Sequence, residues 1–518
     1  MKKIIPIFLA LTFMSMNVSS QINLKKFKNR IKKELTDSVT SKKNKVVNKA
    51  NDAADKALDG KSKSSATNSK NQNNSTNSSS SQPSAIASQG SVSLQTSNSN
   101  SSPKFSAEGR AWYISKSRGK GQLGTKEKPA KDLGNIIHKL KPNDVIYIAA
   151  GTYMSKGKRG SDEINVPVKI YGGYDETFST RDPWGENKTI FTGVNEYMKL
   201  TTARLYIRTD QQRETNGQLS YGSEIIVSGI IFDNGSRNRY HLDKNLAIRR
   251  QASPKSGKNP SPESGGVVIV GSKFTNISVM NCVVMNTAPT QGAISLRVMA
   301  GGKGIIKNNF CINNTGYGIH LMTGYAGTDE TKIPVFKVSN NTVLFTWKHD
   351  PIASYGGSAC AMDQNLTAVL ENNVFGFAHM GGVYSKLTNL TMNNNLFTGN
   401  AKYDFKERNN EMGVDDILDE SEKLNQESDG NESALIKINV AERWANLYAS
   451  REIIRREDVD ASVKASNSGA NQLRSMLGLN LQGNSVKTDA EIFLPLITIE
   501  EALPAGALPW NGKGCSKP

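Results

Sequence analysis

Four short, mostly apolar runs carry polar residues at matching places: GAISLR (292–297), YGIHLM (317–322), SACAMD (358–363) and GGVYSK (381–386). If each run is a strand, alternate side chains leave on opposite faces. One face then holds Ile294, Ile319, Cys360 and Val383, with Leu296, Leu321, Met362 and Ser385 beside them. This set is mostly apolar and is predicted to point inward. The other face holds Ser295, His320, Ala361 and Tyr384 in one column, and Arg297, Met322, Asp363 and Lys386 in the next. On neighbouring strands about 4.8 Å apart these form a groove about 15 Å long.

Such a face suits an acidic sugar chain, with Tyr384 against a ring and Arg297 or Lys386 on carboxylates. Asp363 completes the predicted binding set on this face. β-Elimination from a uronate needs a base beside a group that neutralises the carboxylate. His320 or Lys386 could be the base, Arg297 the neutraliser and Tyr384 the acid. A hydrolase needs paired carboxylates, and this face offers Asp363 alone. Asp363 could help hold Ca²⁺, but such a site takes about six to eight oxygens and no carboxylate cluster accompanies it. No cofactor is therefore expected. His349-Asp350 and His379 read as loop or turn residues, and His138 as part of a short helix. No GxSxG, HExxH, P-loop or GxGxxG context is present.

A second basic feature lies in 235–264. Arg237, Arg239, Lys244, Arg249, Arg250, Lys255 and Lys258 stand against Asp243 and Glu263. It reads as a loop interrupting the strands, either simply solvated or an arm for an anionic glycan through Arg249 and Arg250.

The elements that must position these residues show as repeats. Five nine-residue stretches, SVMNCVVMN, IIKNNFCIN, KVSNNTVLF, VLENNVFGF and TMNNNLFTG, place Asn281, Asn308, Asn340, Asn372 and Asn394 at their fourth position. IVSGIIFDN fits the same frame with Gly229 in the Asn place. Asn tolerates a left-handed corner, and stacked Asn side chains can form a hydrogen-bonded ladder. Irregular spacing between the stretches means that a strand–turn–strand core recurs while loops vary. Stacked parallel coils explain this pattern. A β-propeller does not, because its blades need four strands each. Residues 130–140, with Leu133, Ile136, Ile137 and Leu140, predict a short amphipathic helix over the open end of the stack.

Three motifs carry a family resemblance. WYIS (112–115) leads to KPAKDLGNIIHKLKPNDVIYIAAGTY (128–153), then VKIYGGYDETFSTRDPW (168–184), then the Asn corners. Over about residues 110–410 the chain resembles the right-handed parallel β-helix, or pectin-lyase-like, superfamily of exported bacterial proteins. The resemblance implies an all-β solenoid with an N-terminal capping helix. It does not select an activity, because the fold hosts lyases, hydrolases, epimerases, adhesins and inert stalks.

The formal charge of +18 over 518 residues is unevenly placed. Lys2-Lys3, an apolar stretch and small residues before Gln21 predict a signal peptide over 1–20. Export argues against nucleic acid as partner. Leu24, Phe27, Ile31, Leu35 and Val39 predict a basic amphipathic helix within 21–60, either solvated or docked to an anionic membrane or protein partner. Residues 61–103, rich in Ser and Asn, predict a disordered linker. The body, 104–410, has a net charge of +14, and 411–518 has −7. The latter, partly helical by pattern, is either a cover along the coils or a separate interaction module. Cys282, Cys311 and Cys360 are expected as buried small hydrophobes. The function predicted is binding of an acidic polysaccharide by a secreted, periplasmic or cell-surface protein. The alternatives are a polysaccharide lyase at the same face and a structural or adhesin-like surface component.

Overall fold

The computed structural model describes residues 109–518, apart from 122, 156–160, 193–202, 211–222, 236–239, 244–246, 251–264, 288, 290, 349–355, 387–388, 415–425, 446–447, 449–468, 482–495 and 507–508. The predicted signal, basic helix and linker therefore lie outside the described residues, as do His349-Asp350 and the acidic stretch 415–424.

The described chain is a parallel β-helix, the architecture implied by its opening motifs. Three sheets of ten, nine and nine strands are each built from strands contributed once per coil. The first sheet runs from Ala111–Ile114 to Gln426–Asp429. The second runs from Gly151–Met154 to Glu432–Ser433. The third runs from Asp162–Ile164 to Tyr403–Glu407, where Asn410–Met412 closes it as an antiparallel edge. Strand pairing therefore continues past residue 412. Gln426–Asp429 pairs with Asn389–Asn393, and Glu432–Ser433 with Leu396–Thr398. The coil repeat assigned to 104–410 thus stops one partial coil too early.

The interior follows from alternation. Trp112, Ile146, Ile170, Val227, Val279, Ile306, Val338, Leu370 and Met392 form one buried column of the first sheet. Each apolar side chain meets its equivalent on the next coil, so burial is continuous along the stack. Cys282, Cys311 and Cys360 belong to this interior, and all four cysteines are buried free thiols. Burial pushes the Cys282 thiol up to about 11 and that of Cys515 up to about 12.

The corner between the first and second sheets is where Asn is required. Asn281, Asn308, Asn340, Asn372 and Asn394 have φ of 53–55°, and Gly229 has 70°. The ladder itself belongs to the residue one place further on. Asn309 Nδ2 donates to Asn341 Oδ1 at 2.9 Å, Asn341 to Asn373 at 3.0 Å, Asn373 to Asn395 at 2.9 Å and Asn395 to Asn431 at 2.9 Å. One Asn bends the chain and its neighbour carries the ladder, to which corner Asn308 adds one tie, its Nδ2 donating to Asn281 Oδ1 at 2.7 Å.

A second set of left-handed residues, Asn286, Asn313, Phe345, Phe377 and Gly399, bends the chain within or just after the strands of the second sheet. Phe is costly there. Phe345 and Phe377 stack at 5.5 Å, Trp444 packs on Phe345 at 5.3 Å, and Tyr448 donates to Ala378 O and Gly399 O, both at 2.8 Å. Ile438, Leu473, Ile499 and Ala502 join the same apolar cluster on the outside of the second sheet. These residues of 411–518 lie along the coils.

The open end is covered by two successive 3-10 turns, Leu133–Asn135 and Ile137–Lys139, in place of one amphipathic helix. Gly134 and Asn135 are poor helix formers, while buried Leu133, Ile136 and Leu140 still supply the apolar seal. Among the described residues no helix is long and apolar enough to cross a membrane.

Candidate functional site

The third sheet reproduces the predicted register. Ile294 pairs with Ile319, Ile319 with Cys360 and Cys360 with Val383, all buried inward. Outward, Ser295, His320, Ala361 and Tyr384 share one column, which continues to Lys406. Arg297 pairs with Met322 in the neighbouring column, and Asp363 and Lys386 immediately follow the paired residues Met362 and Ser385.

The face is not an open groove along its whole length. Ser295, Ala361 and Met322 are buried, and His320 is 8% exposed. Small and apolar outward side chains pack among themselves here, as Ala203, Val268 and Val270 do further up the same sheet. The accessible part lies lower. There Tyr317, Gly356, Ser358, Met380, Tyr384, Tyr403, Lys406, Arg408 and Asn409 line a cleft of about 200 Å³.

The sheet builds this cleft by placing small residues between large ones. Tyr317, Ser358, Gly381 and Tyr403 form one outward column. A Cβ on Gly381 would stand 2.1 Å from the Tyr403 ring, so only Gly lets the ring lie across that strand. The Tyr403 hydroxyl meets Ser358 Oγ at 2.8 Å, and burial raises its pKa. Tyr317 and Tyr384 lie nearly parallel at 6.4 Å, and Tyr317 packs on His320 at 5.0 Å.

Charge surrounds these rings. Lys386 Nζ is 3.2 Å from Asp363 Oδ1, and His320 Nε2 approaches the same oxygen at 3.7 Å. Burial pushes the Asp363 carboxyl up, but His320 and Lys386 outweigh it and hold the carboxyl at about 2. His320 Nδ1 and Arg297 Nε are buried without a hydrogen-bond partner. Arg297 otherwise touches Met322 Sδ, at 4.0 Å. Lys406 pairs with Glu411 at 2.6 Å and stands over the Tyr403 ring. Arg408 is exposed at the rim.

The fold thus brings His320, Asp363, Tyr384 and Lys386 together, with Arg297 on the His320 side of the face. It places Arg249 and Arg250 elsewhere in the topology. They lie on Ala247–Arg250, which pairs antiparallel with Tyr240–Asp243 in a two-stranded sheet of its own. The segment read as a loop therefore contains a hairpin. His379 is buried and its Nδ1 accepts from Lys348 N at 3.3 Å, while His138 sits in the second 3-10 turn of the cap. Sequence reasoning missed Tyr317, Tyr403, Lys406 and Arg408. For Tyr317 and Tyr403 the signal was the column Tyr317, Ser358, Gly381, Tyr403, two rings with two small residues between them. Among the described residues, no group of three or more His, Cys, Asp or Glu side chains could hold a metal ion.

No protein-family model matches the chain, and no curated protein matches it in sequence. Among solved structures, the GH136 lacto-N-biosidase from Eubacterium ramulus is similar at 9% identity, covering 63% of this chain and 68% of that one, with a TM-score of 0.27. A rhamnogalacturonan lyase is similar at 12% identity, covering 65% and 92%, with a TM-score of 0.24. The family 28 exopolygalacturonase of Yersinia enterocolitica is similar at 12% identity, covering 64% and 79%, with a TM-score of 0.20.

Proposed function

We propose that this protein is exported and binds an acidic polysaccharide on the outer face of its third sheet. The observation that carries the reading is the tyrosine-walled cleft with unevenly compensated charge around it. Tyr384 stands half-exposed in its wall beside Lys406 and Arg408, while Tyr317 and Tyr403 are largely buried rings that back the cleft around Ser358. Arg297, Lys386, Lys406 and Arg408 lie along the same face, and Asp363 and Glu411 engage two of them. The part-exposed Arg297 guanidinium offers charge-assisted hydrogen bonds to an incoming carboxylate or sulfate. Residues 23–59, as a basic amphipathic helix, would dock to an anionic membrane or protein partner, and the sequence of 1–20 supports export.

The test is retention on alginate and pectate beads alongside a glycan array. Retention should fall when Arg297, Tyr384 and Lys386 are all replaced by Ala, and equal retention after that change would sink the reading.

A lyase at the same face is the second reading, favoured by the His320–Asp363–Lys386 cluster. Lys386, half-exposed, is the better placed base, because His320 is largely buried. The base would take the proton beside the uronate carboxylate, whose charge Arg297 neutralises. The C–O bond to the departing sugar then breaks, a C=C bond forms, and Tyr384 protonates the leaving oxygen. Unsaturated product absorbing in the ultraviolet distinguishes this reading from binding alone. An inert surface component would show neither retention nor product.

A further inference from the structure

Residues 513–517 run along the outside of the Asn corner against the order of the coils. Lys513 Nζ meets Glu432 Oε1 at 2.8 Å on the final coil. Gly514 N then donates to Asn372 O at 2.7 Å, and Cys515 N to Thr342 Oγ1 at 3.0 Å. Ser516 N donates to Asn308 Oδ1 at 2.8 Å, and Asn308 Nδ2 donates back to Ser516 O at 3.0 Å. Lys517 Nζ reaches Asp182 Oδ2 at 3.2 Å on an early coil. Three consecutive amides thus meet three consecutive coils. An extended chain advances about 3.3 Å per residue and the coils repeat at about 4.8 Å. Backbone pairing alone cannot follow that mismatch, and the Thr342 and Asn308 side chains bridge it.

The groove is selective as well as continuous. Gly514 has a φ of 87°, and a Cβ there would stand 2.7 Å from Thr342 Oγ1. Cys515 is fully buried, and its thiol donates to Gly506 O at 3.0 Å, tying the strap to the helix Ile499–Gly506. A lysine stands at each end, against Glu432 and Asp182.

We propose that this corner is a docking groove for an extended peptide of the pattern Lys-Gly-small-Ser-Lys. The chain's own 513–517 segment fills it as a clasp that docks as a unit. Hydrogen exchange on the full chain tests this. The amides of Gly514, Cys515 and Ser516 should exchange at one common rate, faster than those of Ile319 and Cys360 in the third sheet. Asn308→Gly with Thr342→Val, which keeps the left-handed backbone and the side-chain shape, should speed the three strap amides at least tenfold and leave the third sheet unchanged. Unprotected strap amides in the native chain, or strap amides as slow as the third sheet in both chains, would overturn the proposal. A second arm uses Gly514→Val to eject the strap from the full chain. A labelled peptide of residues 510–518 should bind that chain saturably and the native chain not at all. Absence of binding to a Gly514→Val chain that still melts cooperatively would also overturn it.

Discussion

Tyrosines line the outward face of this solenoid in two places, with different results. On the first sheet, Tyr113, Tyr147 and Tyr171 share one column on three successive coils, their rings stacked at 5.3 and 6.1 Å. The rings stack along the column and each stays half-exposed. The nearby cation, Arg181, is held by Gly172 O and Ser228 Oγ, both at 2.8 Å. On the third sheet, Ser358, Ala361 and Gly381 separate Tyr317 from Tyr384 and Tyr403. That spacing leaves a cleft, with Lys406 and Arg408 in its wall. Tyrosine at every coil makes a brace, whereas tyrosine interrupted by small residues leaves a cleft.

The largest effect should come from breaking the brace. Tyr147→Ala removes a ring stacked on both sides and should cost about 2–3 kcal/mol of unfolding free energy by denaturant titration. Affinity for the retained glycan should stay within about twofold. A tenfold loss of affinity with unchanged stability would reverse the assignment of the two faces.

Arg297→Ala should do the opposite. Losing one charge-assisted contact should weaken glycan binding about tenfold, or roughly 1.4 kcal/mol. Stability should stay within about 0.5 kcal/mol, because the side chain gives the fold little beyond contact with Met322. Calorimetry of binding and of unfolding on the same sample separates the two outcomes. A large drop in melting temperature would make Arg297 a structural residue.

The contrast between these faces also explains what the sequence made legible. The first corner could be read because one backbone conformation admits few residue types, so Asn281, Asn308, Asn340, Asn372 and Asn394 repeat visibly. The second bend could not, because Asn286, Asn313, Phe345, Phe377 and Gly399 solve the same backbone problem in three ways. Phe345 and Phe377 are tolerated there through Trp444 and Tyr448, about 70–100 residues away along the chain. The final coil was hidden by the insertion before Gln426, with Asn431 as its one clear mark. Register on the third sheet was legible from alternation alone. Exposure was not, since the burial of His320 and the shelter of Tyr403 over Gly381 depend on side chains from other coils.

The smallest expected effect concerns Asp363, the acid set among the cations of the face. Asp363→Asn removes the partner of Lys386 and the negative charge beside His320. A polyanion should then bind about two- to fourfold more tightly at neutral pH, with steeper weakening by salt. Stability should move the other way, in a pH window fixed by the depressed carboxyl. A carboxyl held at about 2, below its ordinary 3.8, stabilises the native state above that ordinary value. The contribution fades as pH falls from about 4 through about 2. Native and Asp363→Asn chains should therefore differ by a constant amount in unfolding free energy above about pH 5 and converge only below about pH 2. A gap that persists at the lowest pH would place the role of Asp363 in packing rather than in charge. The tighter glycan binding of the variant would then lose its explanation as well.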